Sequence, residues 1–287
     1  MSSQKENEKD TLGARLKKYE ADWNEKPLNK DLPLYVRLDG RHFSTLTSGM
    51  RYPYNDLPAE KYGTFLKDLM MTVALRLAEE FKPDVTETHS DEISMGWKTA
   101  ASAPFEGRYF KIISNMASYA GALFYKWAVN MSYHADDLET LSDAKRIIQS
   151  NNVPSFDCRA FQVPDIMELV NCFVWRQNDC IRGTINQYAQ RWFSPKQLHG
   201  KSIEDRLKML RETGHEGYLD SVDFEHLKHG TWFRRVVKTL PMPEEFKNFH
   251  PGETTITRHV IEEIFVDRLG PMSAEEKISA VLGNSES

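Results

Sequence analysis

Cysteine is scarce: Cys158, Cys172 and Cys180 are the three in 287 residues. No two of them stand at C-x-x-C spacing, which argues against a disulfide framework and against a structural zinc site, so the thiols are expected to be reduced and buried. Long apolar runs are absent too, and no window is long enough to cross a bilayer. The opening residues, MSSQKENEKDTLG, are charged rather than a basic stub before an apolar signal core, so a cytoplasmic protein without a membrane partner is expected. Nor is there an excess of positive charge. With 37 basic against 42 acidic residues and a net charge of -5, nothing attracts nucleic acid globally, and any such partner must be held by a local basic patch. Internal repeats and low-complexity segments are also missing. What is present is apolar: 40% of residues are hydrophobic and 11% aromatic, enough for a substantial core in one elaborated domain or two smaller ones.

The periodicities give an order of elements. A short helix is expected over Leu12–Trp23, then a strand in which Leu34, Val36 and Leu38 share one side and Tyr35, Arg37 and Asp39 the other. Helices follow over Ala59–Phe81 and Gly107–Met131, each with one apolar face. Between them DVTETHSDEISMGWK reads as a hairpin bending near Ser90–Glu92, and SFDCRAFQVP as another strand, Phe156–Val163. Strand, helix, strand, strand, helix, strand is the split βαββαβ order: two helices cover one face of a four-stranded antiparallel sheet and leave the other for a ligand or more protein. Beyond it come a long helix, Asp165–Phe193, a basic loop, a shorter helical stretch and a strand in GTWFRRVVKTL. The tail from Pro241 has loop punctuation and two weak helical patterns. The expected fold class is α+β, with a helical arm at 1–30, a palm-like catalytic core at 31–165, a helical extension with a final strand at 166–240, and an appendage at 241–287.

Within YVRLDGRHFSTL the strand delivers Asp39 away from the apolar layer, and Gly40 permits a tight turn. Asp-Gly is also a common turn dipeptide, so a second carboxylate must decide between a plain turn and a site. In this topology the first and third strands are adjacent, which lets Asp39 approach Asp91 in the hairpin bend, with Glu92 as a third acid. Carboxylates that close repel one another unless cations lie between them, and Mg²⁺ is commonly held by one or two carboxylates plus substrate phosphates. Paired ions of that kind serve phosphoryl or nucleotidyl transfer. Asp91 and Glu92 as plain exposed hairpin residues is the competing reading.

VRLDGRHF, then HSDEIS about fifty residues later, then NMAS in a long helix, FDCR and WRQNDC resemble, in order and spacing, the tRNA(His) guanylyltransferase family across roughly residues 30–240. The resemblance implies a polymerase-like palm that extends RNA in reverse, the 3′-hydroxyl of an incoming nucleotide attacking an activated 5′ end. It implies that Asp39 and Asp91, with the Gly40 carbonyl, hold two Mg²⁺ ions, and that Glu92 is the second acidic position. Gly40, Arg41, His42 and Phe43 would cradle the nucleotide, with Ser90 beside them, and ATP, GTP or other nucleoside triphosphates would be substrates. A homo-oligomer, a tetramer, is implied as well. Eukaryotic members carry His-Ile-Asn-Asn-Leu-Tyr-Asn after Asp-Cys, whereas this chain has IRGTINQYA. It therefore looks like the bacterial, archaeal or phage-type branch, whose implied role is template-directed repair of tRNA 5′ ends rather than obligate guanylate addition to tRNA(His).

Lys111 and Ser114, with Ser118 on the same side of the second helix, form either a phosphate-facing stripe or a solvated face. Arg176, Asp179, Gly183 and Asn186 make a polar stripe along the third helix, flanked by Arg182; Arg176, Arg182 and Asn186 are candidate RNA contacts. Lys196, His199 and Lys201 are a candidate basic RNA patch. HGKS is not a P-loop, because Pro195 stands where the opening glycine should be. His226 and His229 lack a third metal ligand and read as a solvated face. Two other functions share these features. A palm-type nucleotidyl cyclase or cyclic-dinucleotide synthase would release pyrophosphate without RNA, and a catalytically silent RNA-binding module would turn over no nucleotide.

Overall fold

The computed structural model describes residues 15–17, 19, 27–47, 64–136, 138–214, 219, 222–247, 252 and 254–283. Most of the helix expected over 12–23 falls outside them, although 15–17 and 19 are helical. The sheet is built on β1 (Leu34–Gly40), which pairs antiparallel with β3 (Glu92–Trp97) on one side and β4 (Phe156–Gln162) on the other. β2 (Val85–His89) joins β3 through a turn at Ser90–Asp91, where Ser90 takes a φ of 50°. The expected βαββαβ core is present, and the fold is α+β. Two further strands, β5 (Thr231–Pro241) and β6 (Thr255–Ile264), lengthen the sheet to six in the order β4-β1-β3-β2-β5-β6.

β6 corrects the reading of the tail as two helical patterns. Residues 255–264 are rich in β-branched side chains and pair along their length with β5, from Trp232↔Ile264 to Pro241↔Thr255. After a one-turn α9 (Glu244–Lys247), the second pattern is a helix, α10 (Ala274–Leu282), opened by a Ser273/Glu276 capping box.

Helices lie on both faces. On one side α2 (Thr64–Phe81) and α3 (Tyr109–Tyr133) press Leu69, Val73, Leu77, Ile112, Met116 and Phe124 onto Leu34, Val36, Leu38, Ile93 and Met95 of the strands. α4 (Leu138–Gln149), a helix the sequence reading did not include, adds Ala144 and Ile147 to this layer. The opposite face, expected to be left for a ligand or more protein, takes more protein over part of its area. There α5 (Ile166–Trp192) and α10 bury Leu169, Phe173 and Val281 against Tyr35, Val85 and Trp232. Gly96 makes this approach possible: a Cβ there would stand 3.0 Å from the Phe173 ring.

α5 begins at an Asp165 cap, crosses the sheet and runs on past it. Its last turns carry a separate small core, Ile185, Tyr188 and Ala189 against α6 (Pro195–Leu198), α7 (Ile203–Glu212) and α8 (Val222–His229). The loop expected between α5 and the next helix is thus partly helical, and Ser194 and Ser202 open its two helices with capping boxes. No helix among the described residues is long and apolar enough to cross a membrane.

Candidate active site

The register puts three acids in one row. Asp39 faces Glu92 across β1–β3 and Asp157 across β1–β4. Directly opposed residues project to the same face, so the row lies on the α5 side of the sheet. Asp91 joins it from the turn, because its carbonyl accepts from the Gly40 amide at 2.9 Å and ties the hairpin to the end of β1. Burial, then the charges of Asp91 and Asp157, hold the Asp39 pKa above the ordinary carboxylate range. Arg37 offsets this only weakly, its Nη2 standing 4.0 Å from Asp39 Oδ2.

Gly40 answers a packing demand rather than a conformational one, since it ends β1 in extended backbone and the left-handed φ of the turn falls on His42. A Cβ at this position would fall 2.6 Å from the Phe43 ring, which is buried against Phe124 and Phe156 at centroid distances of 4.9 and 5.0 Å. Arg41 donates its amide to Ser155 O at 2.8 Å, and His42 takes a left-handed conformation (φ 58°) that starts the one-turn α1 (Phe43–Leu46). Arg41 and His42 are exposed. Backbone from Gly40 to Phe43 thus folds into a corner beside the acids, and Ser90, whose Oγ donates to Asp91 Oδ1 at 3.0 Å, borders it.

Glu92 has a different environment from Asp39 and Asp91. It is buried, and Arg176 of α5 grips it with two bonds, Nε to Oε1 at 2.6 Å and Nη2 to Oε2 at 2.7 Å. The third arm of Arg176 donates to Asp179 Oδ2 at 2.6 Å, and Arg182 pairs with the other oxygen of Asp179. Burial raises the Glu92 pKa against the pull of His89 and Arg176. The expected RNA contact at Arg176 is therefore corrected to an internal clamp: a buried guanidinium with three of its donors on carboxylates is not presented to a phosphate. Arg182 stays exposed, and Asn186 is half-buried two turns beyond Asp179.

Lys111 and Ser114 are also corrected. The segment that leads into α3 meets the segment that leads into β1, Leu28 N donating to Gly107 O at 3.3 Å, and α3 reaches Phe43 only at Phe124. Thirteen helical residues, about 20 Å, lie between Lys111 and that level, so Lys111 and Ser114 sit at the far end of the sheet from Asp39. Ser114 Oγ donates to Phe110 O there. Lys196, His199 and Lys201 are exposed on and after α6, beyond the C-terminal end of α5 and roughly 24 Å of helix past Arg176.

Several residues escaped the sequence reading. Asp157 and Arg159, bonded at 2.8–2.9 Å, lie in the FDCR motif, and the alternation of β4 was the signal that would have placed them beside Asp39. Glu87 and His89 form a buried pair at 2.6 Å. Burial lowers the His89 pKa, but Glu87 and Glu92 outweigh it and the net shift is upward. Glu87, His89 and Glu92 bring donor atoms within 4.8 Å of one another, yet Arg176 already occupies both oxygens of Glu92.

The residues fit a hard divalent cation at the other end of the row. Asp39 and Asp91 are oxygen donors with mutual repulsion and little cationic relief, the condition that such an ion removes.

Comparison with known proteins agrees with this geometry. Residues 13–164, more than half of the chain, match the family model described as tRNAHis guanylyltransferase. The chain is 29% identical over 154 residues to the tRNA(His) guanylyltransferase of Debaryomyces hansenii, covering 52% of this chain and 50% of that protein. It is 31% identical over 150 residues to that of Neurospora crassa, covering 51% and 44%. The chain thus spans about half the length of the curated relatives it matches. Among solved structures, a bacterial tRNA(His) guanylyltransferase-like protein in complex with ATP has a TM-score of 0.60 at 27% identity, over 78% of this chain and 88% of that one. The tRNA(His) guanylyltransferase of Saccharomyces cerevisiae, at 18% identity and a TM-score of 0.59 over 75% and 90%, shares the fold. The carboxylate row at the end of β1, the palm-like sheet and the matched segment agree: this chain belongs to the tRNA(His) guanylyltransferase family, a nucleotidyltransferase family.

Proposed function

We propose that the chain is a Mg²⁺-dependent nucleotidyltransferase that adds nucleotides in the 3′-to-5′ direction to the 5′ end of tRNA or a tRNA-like RNA. The observation that carries this is the convergence of Asp39 and Asp91, from a strand end and a hairpin turn, beside the backbone corner of Gly40–Phe43. The bacterial relative described in complex with ATP, and another in complex with GTP, support nucleoside triphosphates as substrates.

Asp39, Asp91 and the Gly40 carbonyl would hold the metal, which when bound lowers the pKa of an attacking hydroxyl and steadies a leaving phosphate. The chain's own groups do the positioning. Gly40–Phe43 and Ser90 border the triphosphate, and Arg37 and Arg159 offer cationic relief to charge gathering over the row. An RNA ending in a 5′-monophosphate is first adenylylated from ATP, releasing pyrophosphate; the 3′-hydroxyl of the incoming nucleotide then displaces AMP. A 5′-triphosphate end reacts directly and releases pyrophosphate.

The test is incubation of the chain with 5′-truncated tRNA, labelled nucleotides and Mg²⁺. Asp39→Ala or Asp91→Ala should lower nucleotide addition by several orders of magnitude while the chain still folds. Near-normal addition to a 5′-triphosphate RNA by either variant would overturn the assignment.

A further inference from the structure

β4 lies at the edge of the sheet, and α5 does not cover its outer face. Three of its side chains alternate onto that face, Asp157, Arg159 and Phe161, opposite Asp39, Arg37 and Tyr35 of β1. Arg159 is 62% exposed with Asp157 as its ionic partner, and Phe161 is 41% exposed with its ring 5.2 Å from that of Tyr35. Across from them α5 presents Trp175, 50% exposed, whose ring lies 5.6 Å from the Arg37 guanidinium and 4.8 Å from that of Arg176. Phe161 and Trp175 each leave much of their surface in solvent, and exposed aromatic surface beside charged groups marks a contact surface. We infer that Phe161, Arg159 and Trp175 form a shelf for unpaired nucleotides of the RNA, the overhanging strand opposite the recessed 5′ end.

Three features of the shelf support that occupant. Rings that stack on any base, with a guanidinium on the same face for the backbone, are the chemistry of single-stranded nucleic-acid binding. The shelf is continuous with the carboxylate row, since Asp157 is in register with Asp39. From Asp157 to Phe161 the strand runs about 13 Å, against about 3.4 Å for each stacked nucleotide along a strand, which gives room for a few unpaired nucleotides leading from the reaction centre. The ligand assignment rests on the nucleotidyltransferase reading, but binding can be measured without catalysis.

The experiment compares two RNA hairpins by fluorescence anisotropy, one with a recessed 5′ end and a six-nucleotide 3′ overhang, the other blunt. Wild type should prefer the overhang. Trp175→Leu and Phe161→Leu should each weaken overhang binding about tenfold with a smaller effect on the blunt hairpin, and Trp175→Phe should keep most of the affinity. Arg159→Gln should flatten the salt dependence by about one unit of log slope. An unchanged overhang preference in the Trp175→Leu, Phe161→Leu double variant overturns the shelf, even where wild type adds nucleotides. Retained overhang preference in wild type without any nucleotide addition defeats the catalytic reading instead. If light scattering shows the double variant losing an oligomer that wild type forms, the rings belong to an interface between copies, and the shelf is again overturned.

Discussion

Asp39 shows what crowding carboxylates together costs the fold. Its pKa is raised, so the folded chain takes up a proton more readily than the unfolded chain; the penalty is fully present above the folded pKa and relieved as pH falls through it. Asp39→Asn should therefore raise the unfolding stability of the chelated protein at neutral pH, by at most about 1 kcal/mol because the half-exposed group is screened by solvent. That gain should vanish on acidification, and a variant less stable than wild type at neutral pH would show that Asp39 is not repelled by its neighbours. Glu92 next door follows other arithmetic. Removing its partner in Arg176→Met leaves a buried charge and should cost about 3–5 kcal/mol, whereas Glu92→Met with Arg176→Met should cost much less than the sum of the single changes. Urea unfolding in a double-mutant cycle reads this directly, and additive effects would mean that the clamp contributes no coupling.

At the scale of elements, what the sequence made legible was whatever depended on local pattern. Alternation placed Leu34, Val36 and Leu38 inward and Asp39 outward, and the short hairpin brought Asp91 to the end of β1. What depended on how elements lie against one another was not legible. A polar stripe on α5 looks the same whether Arg176 faces solvent or a buried Glu92, and Lys111 lies far from Asp39 only because α3 starts at the opposite end of the sheet. The helical reading of 255–264 failed because pairing with β5 supplies the partner that lets these residues form a strand. Gly40 stands between these cases, since its turn was expected but the Phe43 ring occupying its Cβ position was not. Gly40→Ala should destabilise the chain by about 1–3 kcal/mol through overpacking, and Phe43→Leu, which withdraws the ring, should recover part of the loss in the double variant. Equal stability of Gly40→Ala and wild type in urea would show that the corner yields freely.

For the whole molecule the question is what selects the added nucleotide. The net charge of -5 leaves RNA binding to local surfaces, so contacts of the kind offered by exposed Lys196 and Lys201 beyond α5 would set affinity, not base choice. The carboxylate row and the backbone corner are equally indifferent to base identity. In the α5 segment after Asp179 and Cys180, IRGTINQYA, Ile185 and Tyr188 turn into the small core with α6, α7 and α8. On the proposed function, pairing with the opposite strand of the acceptor stem would then be the source of selection. On tRNAs lacking their first 5′ nucleotide, addition should follow the template base in several tRNA species, and all four nucleotides should be usable. The measurement is kcat/KM for matched over mismatched nucleotide on at least two tRNAs with different anticodons. Preference for guanosine whatever the opposing base, confined to tRNA(His), would defeat template-directed repair and point to guanylate addition as the chain's reaction.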